Sequence, residues 1–342
     1  MNSVGVGVIG TGMAVKPHAL ALADLAGRVR VVGAYSRTEA RRREFAASYR
    51  MPSIDSIDAL LSDPDVQVVL VLTPPRTHAD LALRCARAGK HVLLEKPLDV
   101  DLPQALATVR AVESMGVQLG VVFQHRFRDG ARLLREMLAA GELGELLSVS
   151  CAIRWWRSAE YFAVGGRGTL ARDGGGVLLT QAIHTLDVLL DLIGPAQRVS
   201  ALCRTSPLRS IDTEDMVSAV VAFHGGAIGV VDATTTAYPG FPERIELSGS
   251  KGTAVLEAER LTVQRPGRDP VRVDGSFAGG GGADPMAFSH EAHRRLIEDF
   301  LDALRDRRPP RASGRSALPV HALIDAMLAS SRTGLPVDVP RI

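Results

Sequence analysis

Short apolar runs alternate with amphipathic stretches through the first third of the chain. The runs Val4–Ile9, Val29–Tyr35, Val66–Leu72, His91–Leu94 and Gln118–Val122 are too short for helices and are bounded by Gly, Pro or charged residues, which predicts buried parallel strands. Between them, apolar positions recur at helical spacing near Val15–Leu25, Thr38–Tyr49, Thr77–Ala88 and Leu102–Met115. Gly27, Gly89 and Gly116 stand at or just past three of their carboxyl ends. Strand and helix in alternation predict a doubly wound sheet. After Val122 the pattern changes. A helix is predicted over Asp129–Ala140. Leu147, Val149, Cys151, Ile153 and Trp155 then take every second position, the mark of a strand with one buried face. Further strands are predicted at Arg198–Arg204, Met216–Phe223, Ile228–Thr236, Arg244–Leu247, Thr253–Leu256 and Leu261–Gln264, with His224 to Ala227 as a hairpin turn. Strands in succession without helices predict an antiparallel sheet. A glycine-rich stretch at 275–285 reads as a mobile connector, and helices near Ser289–Arg307 and Leu318–Ser331 close the chain.

Composition narrows the function. A length of 342 residues corresponds to about two domains. The expected division is a nucleotide-holding domain over 1–124 and a second domain over 125–342 that offers its sheet as one wall of a cleft. Forty Lys and Arg against 38 Asp and Glu leave a net charge of +2, too weak a field to argue for nucleic acid or an anionic membrane. Cys85, Cys151 and Cys203 are too far apart for a CxxC metal site or a local disulfide framework, which fits a reducing compartment. The amino-terminal segment has no basic-then-apolar leader pattern and no run of about 18 apolar residues occurs, so a cytoplasmic protein is expected.

The sequence GTGMAVKPH at 10–18 follows the first predicted strand directly and opens the first helix, the context in which a glycine motif binds a dinucleotide. Gly10 permits the tight turn. Gly12 lets the backbone approach a pyrophosphate, which the helix amino terminus stabilises, and Thr11, Met13 and Ala14 complete the loop. Val15 occupies the third glycine position of the fingerprint and loosens the match. Where an NAD site places a carboxylate, at the end of the second strand, this chain has Tyr35, Ser36 and Arg37. A hydroxyl and a guanidinium suit a 2′-phosphate, so NADP is preferred and NAD possible. The competing reading makes Arg37, like Arg41, Arg42 and Arg43, part of a solvated helix start.

TPPRTH at 73–78 follows the third strand and EKP at 95–97 the fourth, at the carboxyl ends where such sheets bind ligands. Lys96 comes directly after the apolar run HVLL, where an unpaired ammonium is costly, so it is either functional or paired. In DGGGVLLTQAIHTLD at 173–187, His184 and Asp187 are three residues apart on one helix face. A satisfied core histidine would also be flanked by Ile183 and Leu186 as His184 is. His290 and His293 lack the HExxH spacing and a third ligand, so no metal is expected.

In this order and spacing, GTGMAVKPH, TPPRTH, EKP and GGGVLLTQAIHTLD resemble the Gfo/Idh/MocA family of NAD(P)-dependent oxidoreductases over essentially the whole chain. The resemblance implies an α/β protein: an N-terminal Rossmann domain, then a C-terminal α+β domain with an open, mainly antiparallel sheet. It also implies hydride transfer at a nicotinamide and a polyhydroxylated substrate held between the domains. By similarity Lys96 orients the reacting hydroxyl and His184 exchanges its proton, while Thr73, Pro74, His78, Glu95 and Lys96 join the cofactor-binding set. Substrate contacts are expected from Lys96, Gln124, Arg126, Arg154, Trp156, Arg167, Thr180 and His184. The inositol dehydrogenase pattern has Asp four residues before the histidine, where this chain has Thr180, which makes inositol itself less favoured. Asp187 is then the candidate to orient the imidazole, against a role as a helix surface charge. The stretch RWWRSAEYF at 154–162 with GGRGT at 165–169 resembles members acting on sugars or nucleotide sugars. The leading expectation is a sugar, sugar-derivative or polyol dehydrogenase that forms a homo-oligomer through its second-domain sheet. The alternatives are a nucleotide-sugar 3-dehydrogenase and a non-catalytic sugar- or dinucleotide-sensing regulator.

Overall fold

The structure, a computed structural model, describes residues 3–275 and 289–342, so residues 276–285 of the expected mobile connector lie outside the described residues. Two compact units emerge, one of residues up to Gln124 with Ser289–Ala317, the other of residues from His125 to 275 with Leu318–Ile342.

The first unit follows the alternating pattern. Strands β1 (Val4–Ile9), β2 (Val29–Tyr35), β3 (Val68–Val71), β4 (His91–Leu94) and β5 (Leu119–Val121) alternate with helices α1 (Val15–Asp24), α2 (Glu39–Tyr49), α3 (Ile57–Ser62), α4 (His78–Arg87) and α5 (Leu102–Ser114). The sheet is parallel with order β2-β1-β3-β4-β5. Its order therefore reverses at β1, and the gap between the carboxyl ends of β1 and β3 is the switch point at which such sheets bind ligands. Ile9 is in register with Tyr35 and Val71, and Val71 with Leu94. The turns that begin at Gly10, Ser36, Leu72 and Glu95 thus leave the sheet at one level. The α3 helix was not expected; the Ser56 side chain caps it by accepting the Ala59 N–H at 3.0 Å.

The domain division differs from the expected one. Residues 289–317 belong to the first unit, because the amphipathic helix α10 (Glu291–Asp306) buries Leu296, Ile297 and Phe300. Arg28 donates to Asp302 at 2.6 Å, and Val121 N–H donates to Ala312 C=O at 2.8 Å, covering the edge of β5.

In the second unit α6 (Asp129–Ala139) leads into β6 (Leu146–Arg154), followed by the short helices α7 (Ala159–Ala163) and α8 (Leu170–Asp173). A π-helical turn, Leu178–Ala182, runs into α9 (Ile183–Ile193). Then come β7 (Ala196–Arg204), β8 (Met216–Phe223), β9 (Ile228–Thr234), β10 (Arg244–Gly249), β11 (Gly252–Glu257), β12 (Arg260–Gln264) and β13 (Val271–Val273). The helix α11 (Gly314–Thr333) and strand β14 (Val337–Asp338) end the chain. The nine strands form one sheet in the order β13-β12-β11-β10-β6-β9-β8-β7-β14, antiparallel except where β6 pairs with β9. α6 packs on β11 and β12, α9 on β6, and Ser330 and Ser331 of α11 accept N–H groups of β7. One face is thereby covered.

Leu147 departs from the predicted alternation. Val149, Cys151, Ile153 and Trp155 are buried, but Leu147 is 53% exposed, because a register shift between Ser248 and Gly249 inserts an extra β6 residue and reverses which face the strand presents. The segment Leu170–Ile193 has the length and apolar character of a membrane span, and 78% of its most apolar stretch is buried inside the protein, as in a core helix.

Candidate functional site

In the first unit the candidate residues gather at the switch point. Gly10 has φ +107°, and a Cβ there would lie 2.6 Å from Leu72 C=O, so the turn itself requires glycine. Gly12 differs: a Cβ there would meet nothing within 4 Å, so packing does not explain it. Thr11 Oγ1 is buried with no hydrogen-bond partner among the described residues. Ala14 supplies no side-chain cap to α1, and Met13 is exposed. Thr11, Gly12, Met13, Lys16, Arg41 and Tyr49 line an open groove of about 750 Å³. Open space beside glycine, an orphan hydroxyl and an uncapped helix start fit a pyrophosphate.

The arginine cluster after β2 divides. Arg42 donates to Ser36 C=O at 2.7 Å and lies 3.3 Å from Asp55, and Arg43 pairs with Glu39 at 2.5 Å. These two are structural. Ser36 is buried and Arg37 exposed.

Glu95 and Lys96 follow β4. His18, on the buried face of α1, places Nε2 2.8 Å from Glu95 Oε1, while Glu95 Oε2 accepts the Lys96 N–H at 3.1 Å. Burial pushes the Glu95 carboxyl up, but the His18 hydrogen bond and the charges of His18 and Lys96 outweigh it and hold the group below its ordinary value. His18 is a residue the sequence reading passed over, although it ends the quoted glycine motif. His78 was expected among the cofactor contacts, and the structure corrects this. It is fully buried, with Nδ1 2.7 Å from Pro97 C=O and Nε2 2.8 Å from Thr73 C=O, so it ties the loop after β3 to the loop carrying Lys96. Burial lowers its pKa despite the two carbonyls. Thr73 Oγ1 also accepts the Thr77 hydroxyl at 2.7 Å, whereas Pro74 is exposed.

His290 and His293 diverge. His290 lies 2.7 Å from Asp24, whereas His293 turns inward to meet the His18 ring edge-on at 4.9 Å. The ligating atoms of His18, Glu95 and His293 fall within 4.8 Å of one another, a set of metal-ligand type. Its carboxylate already takes His18 and the Lys96 amide and feels the Lys96 charge, which disfavours a second cation there.

In the second unit the candidates gather around the start of α9. Glu214 anchors this region by accepting the N–H groups of Gly176 and Leu178, each at 3.1 Å. The Thr180 hydroxyl donates to Gly176 C=O at 2.7 Å and also contacts Gln181, whose amide meets the Tyr161 hydroxyl at 3.2 Å. His184 is nearly buried and stacks on His125, centroids 4.7 Å apart and planes 23° apart. His125 was not among the expected site residues. It stands alone in sequence, and no periodicity marks it.

Two expectations are corrected here. Asp187 is not a helix surface charge: it is 1% exposed, and Arg126 grips both of its oxygens, at 2.7 and 2.5 Å. Arg126, expected to touch substrate, is 3% exposed and lies 3.6 Å from Asp191 as well, so it is committed to α9. Burial lowers its pKa, but Asp187 and Asp191 outweigh this and raise it. Arg154 is a third correction. It follows Ser150 and Ala152 on the open face of the sheet and lies 3.5 Å from Asp232, on the face opposite the one α9 covers. Gln124, the last residue of the first unit before α10, is buried, and its Oε1 has no hydrogen-bond partner among the described residues.

Trp156 and Arg167 enter a cluster of arginines and aromatic rings. Arg167 lies 4.1 Å over Tyr161, Arg157 5.1 Å over Trp155, and Arg209 5.5 Å over Trp156 and 4.9 Å over Phe162. Tyr161, Phe162, Arg167, Thr180 and Gln181 share a cavity of about 260 Å³.

Comparison with known proteins identifies the family of both units. Residues 4–123 match the family model described as the GFO/IDH/MocA oxidoreductase family, NAD-binding Rossmann fold, and residues 131–255 match the GFO/IDH/MocA C-terminal domain. The chain is 27% identical over 337 residues to inositol 2-dehydrogenase of Rhizobium meliloti, covering 96% of this chain and 97% of that protein. Among solved structures, a levoglucosan dehydrogenase in complex with NADH and levoglucosan is 25% identical, with full coverage of both chains and a TM-score of 0.90. The WlbA dehydrogenase of Bordetella pertussis in complex with NADH and UDP-GlcNAcA is also 25% identical, with a TM-score of 0.86 over 100% of this chain and 99% of that one.

Proposed function

The chain belongs to the Gfo/Idh/MocA family of oxidoreductases, and from that premise we propose that it is an NADP-preferring dehydrogenase or reductase of a sugar, sugar derivative or polyol. The observation that carries the reading is the setting of Lys96. It follows β4 directly at the carboxyl end of the sheet, beside a Glu95 carboxylate that His18 holds ionised. A nicotinamide bound at the switch point supplies the hydride acceptor or donor. Thr11, Gly12 and the start of α1 hold the pyrophosphate, and Ser36 with Arg37 take the 2′-phosphate. Lys96 orients the reacting hydroxyl and steadies negative charge on its oxygen, while His184 takes the proton in oxidation and returns it in reduction. No metal is needed for this division of work.

A second reading, a nucleotide-sugar dehydrogenase, is favoured by the arginine and aromatic cluster around Tyr161, since guanidinium groups and ring faces suit phosphates, carboxylates and bases. We also propose a cytoplasmic homo-oligomer joined through the open sheet face. Leu202, Val220, Ile228 and Val230 are exposed there, and Val220 and Val230 are directly opposite across β8 and β9, an apolar row that a second copy would cover.

The test is reduction of NADP and NAD with a panel of sugars, polyols and nucleotide sugars, repeated for Lys96→Ala, His184→Ala and the double variant. Each single loss should cost about 10²–10⁴ in kcat, and the two should not add, because both groups serve one proton path. Turnover near wild type in His184→Ala would return that residue to the core.

A further inference from the structure

We infer that His125 is a positioning residue for His184, and that the two imidazoles titrate as a coupled pair. This rests on the reading of His184 as the proton-exchanging group. The 3₁₀ turn Gln124–Phe127 docks on one face of α9 through two consecutive residues. His125 stacks on His184, and Arg126 grips Asp187, three residues further along the same face. Because Arg126 fixes the turn through Nε and Nη2 together, the His125 ring is held against the imidazole rather than resting on it loosely. Two planar rings at 4.7 Å limit rotation of His184 about its side-chain bonds, and a catalytic imidazole needs that restriction.

Behind His125 stands a second group of charges. Its Nδ1 is 3.8 Å from Glu243, the residue before β10, and Arg128 donates to the same Glu243 oxygen at 2.6 Å. The other oxygen, Glu243 Oε2, and the nearby Thr185 Oγ1 are both buried without a hydrogen-bond partner among the described residues. Both residues line a small cavity with His125 and Arg128. The remaining lining, Ala131, Val188, Ile245, Leu256 and Ala258, is apolar, which keeps this charged group shielded from solvent behind His125.

The charges around the pair largely cancel. Arg126 faces Asp187 and Asp191, the latter also near Arg135 of α6, and Arg128 faces Glu243 and Glu259. The two rings are in direct stacking contact, so a charge on one opposes a charge on the other. Glu243 draws the first proton to His125, and a cation stacked on His184 opposes the second. His184 accordingly stays neutral, and competent as a base, to lower pH than it would alone.

The experiment compares the pH dependence of kcat for wild type, His125→Phe and His125→Ala, with NADP affinity and thermal unfolding measured for each. His125→Phe keeps a ring to stack and removes the charge, so its acid limb should move up by about half a pH unit or more. His125→Ala also loses the ring, and its kcat should fall by tenfold or more while NADP affinity holds. Should His125→Ala fail to fold, the His125→Phe profile decides alone. An acid limb in His125→Phe that coincides with wild type overturns the coupling, and wild-type kcat in His125→Ala overturns the positioning role. His184→Ala is run alongside: near-normal turnover there would refute the reading of His184 itself, a result separable from either outcome at His125.

Discussion

Replacing Asp187 with Asn should destabilise the protein while leaving the proton chemistry of His184 in place. Both carboxylate oxygens face Arg126 at 2.7 and 2.5 Å, and the two side chains are 3% and 2% exposed, so solvent screens the pair little. Breaking a buried ion pair by neutralising one partner costs about 3–5 kcal/mol, because the other charge stays buried. Asp191 remains 3.6 Å from Arg126 and compensates in part, which places the expected loss near the low end, about 3 kcal/mol. For a unit of this size that is a fall of roughly 6–12 °C in Tm. Removing both charges at once, Arg126→Met with Asp187→Leu, leaves no stranded ion, and much of the stability should return. The assay is thermal unfolding of wild type, Asp187→Asn, Arg126→Met, Asp187→Leu and the Arg126→Met/Asp187→Leu double variant, with a kcat–pH profile for Asp187→Asn. If Asp187→Asn unfolds with wild type while its profile loses the acid limb, Asp187 orients the imidazole after all and the assignment of its carboxylate to Arg126 is wrong.

Arg37→Ala should cost about 1.5–3 kcal/mol of NADP affinity, tenfold or more, with NAD little changed; titration of both cofactors checks this, and an unaltered preference would make Arg37 a solvated helix-start residue. His78 is lowered from its ordinary 6.5 by burial, so the folded state favours the neutral ring. Its contribution to stability is complete above that value and is lost as pH falls below it toward the folded pKa, at up to about 1.4 kcal/mol per pH unit. Urea unfolding between pH 7 and 5 should therefore weaken more steeply in wild type than in His78→Gln, and parallel slopes would contradict it. Exhaustive chelation should leave turnover intact, whereas loss restored by zinc would assign a metal to His18, Glu95 and His293.

Much of the first unit was legible in the sequence because its signals are local. Apolar runs such as HVLL become buried strands wherever they are covered on both faces, glycine at position 10 follows from a positive φ in a tight turn, and EKP falls at a strand end because the run before it stops there. The glycine motif could therefore be named before any contact was known, whereas His184, flanked like a core histidine, was singled out only by the family resemblance. What only the tertiary structure decided are the partnerships. Asp187 and His184 share a helix face, and spacing alone paired them, but Arg126 arrives from 61 residues away and takes the carboxylate. His125 meets His184, Glu95 meets His18, and His78 bridges two loops, each across a separation that no periodicity encodes. Leu147 kept its place in the alternation and still faced outward, because the bulge that turned it depends on the neighbouring strand. The same holds for α10, whose apolar face is plain in the sequence while the unit it covers is not. Periodicity states that a face will be buried; which groups bury it is a property of the folded chain, since hydrogen bonds and ion pairs act over ångströms in space and not over positions in sequence.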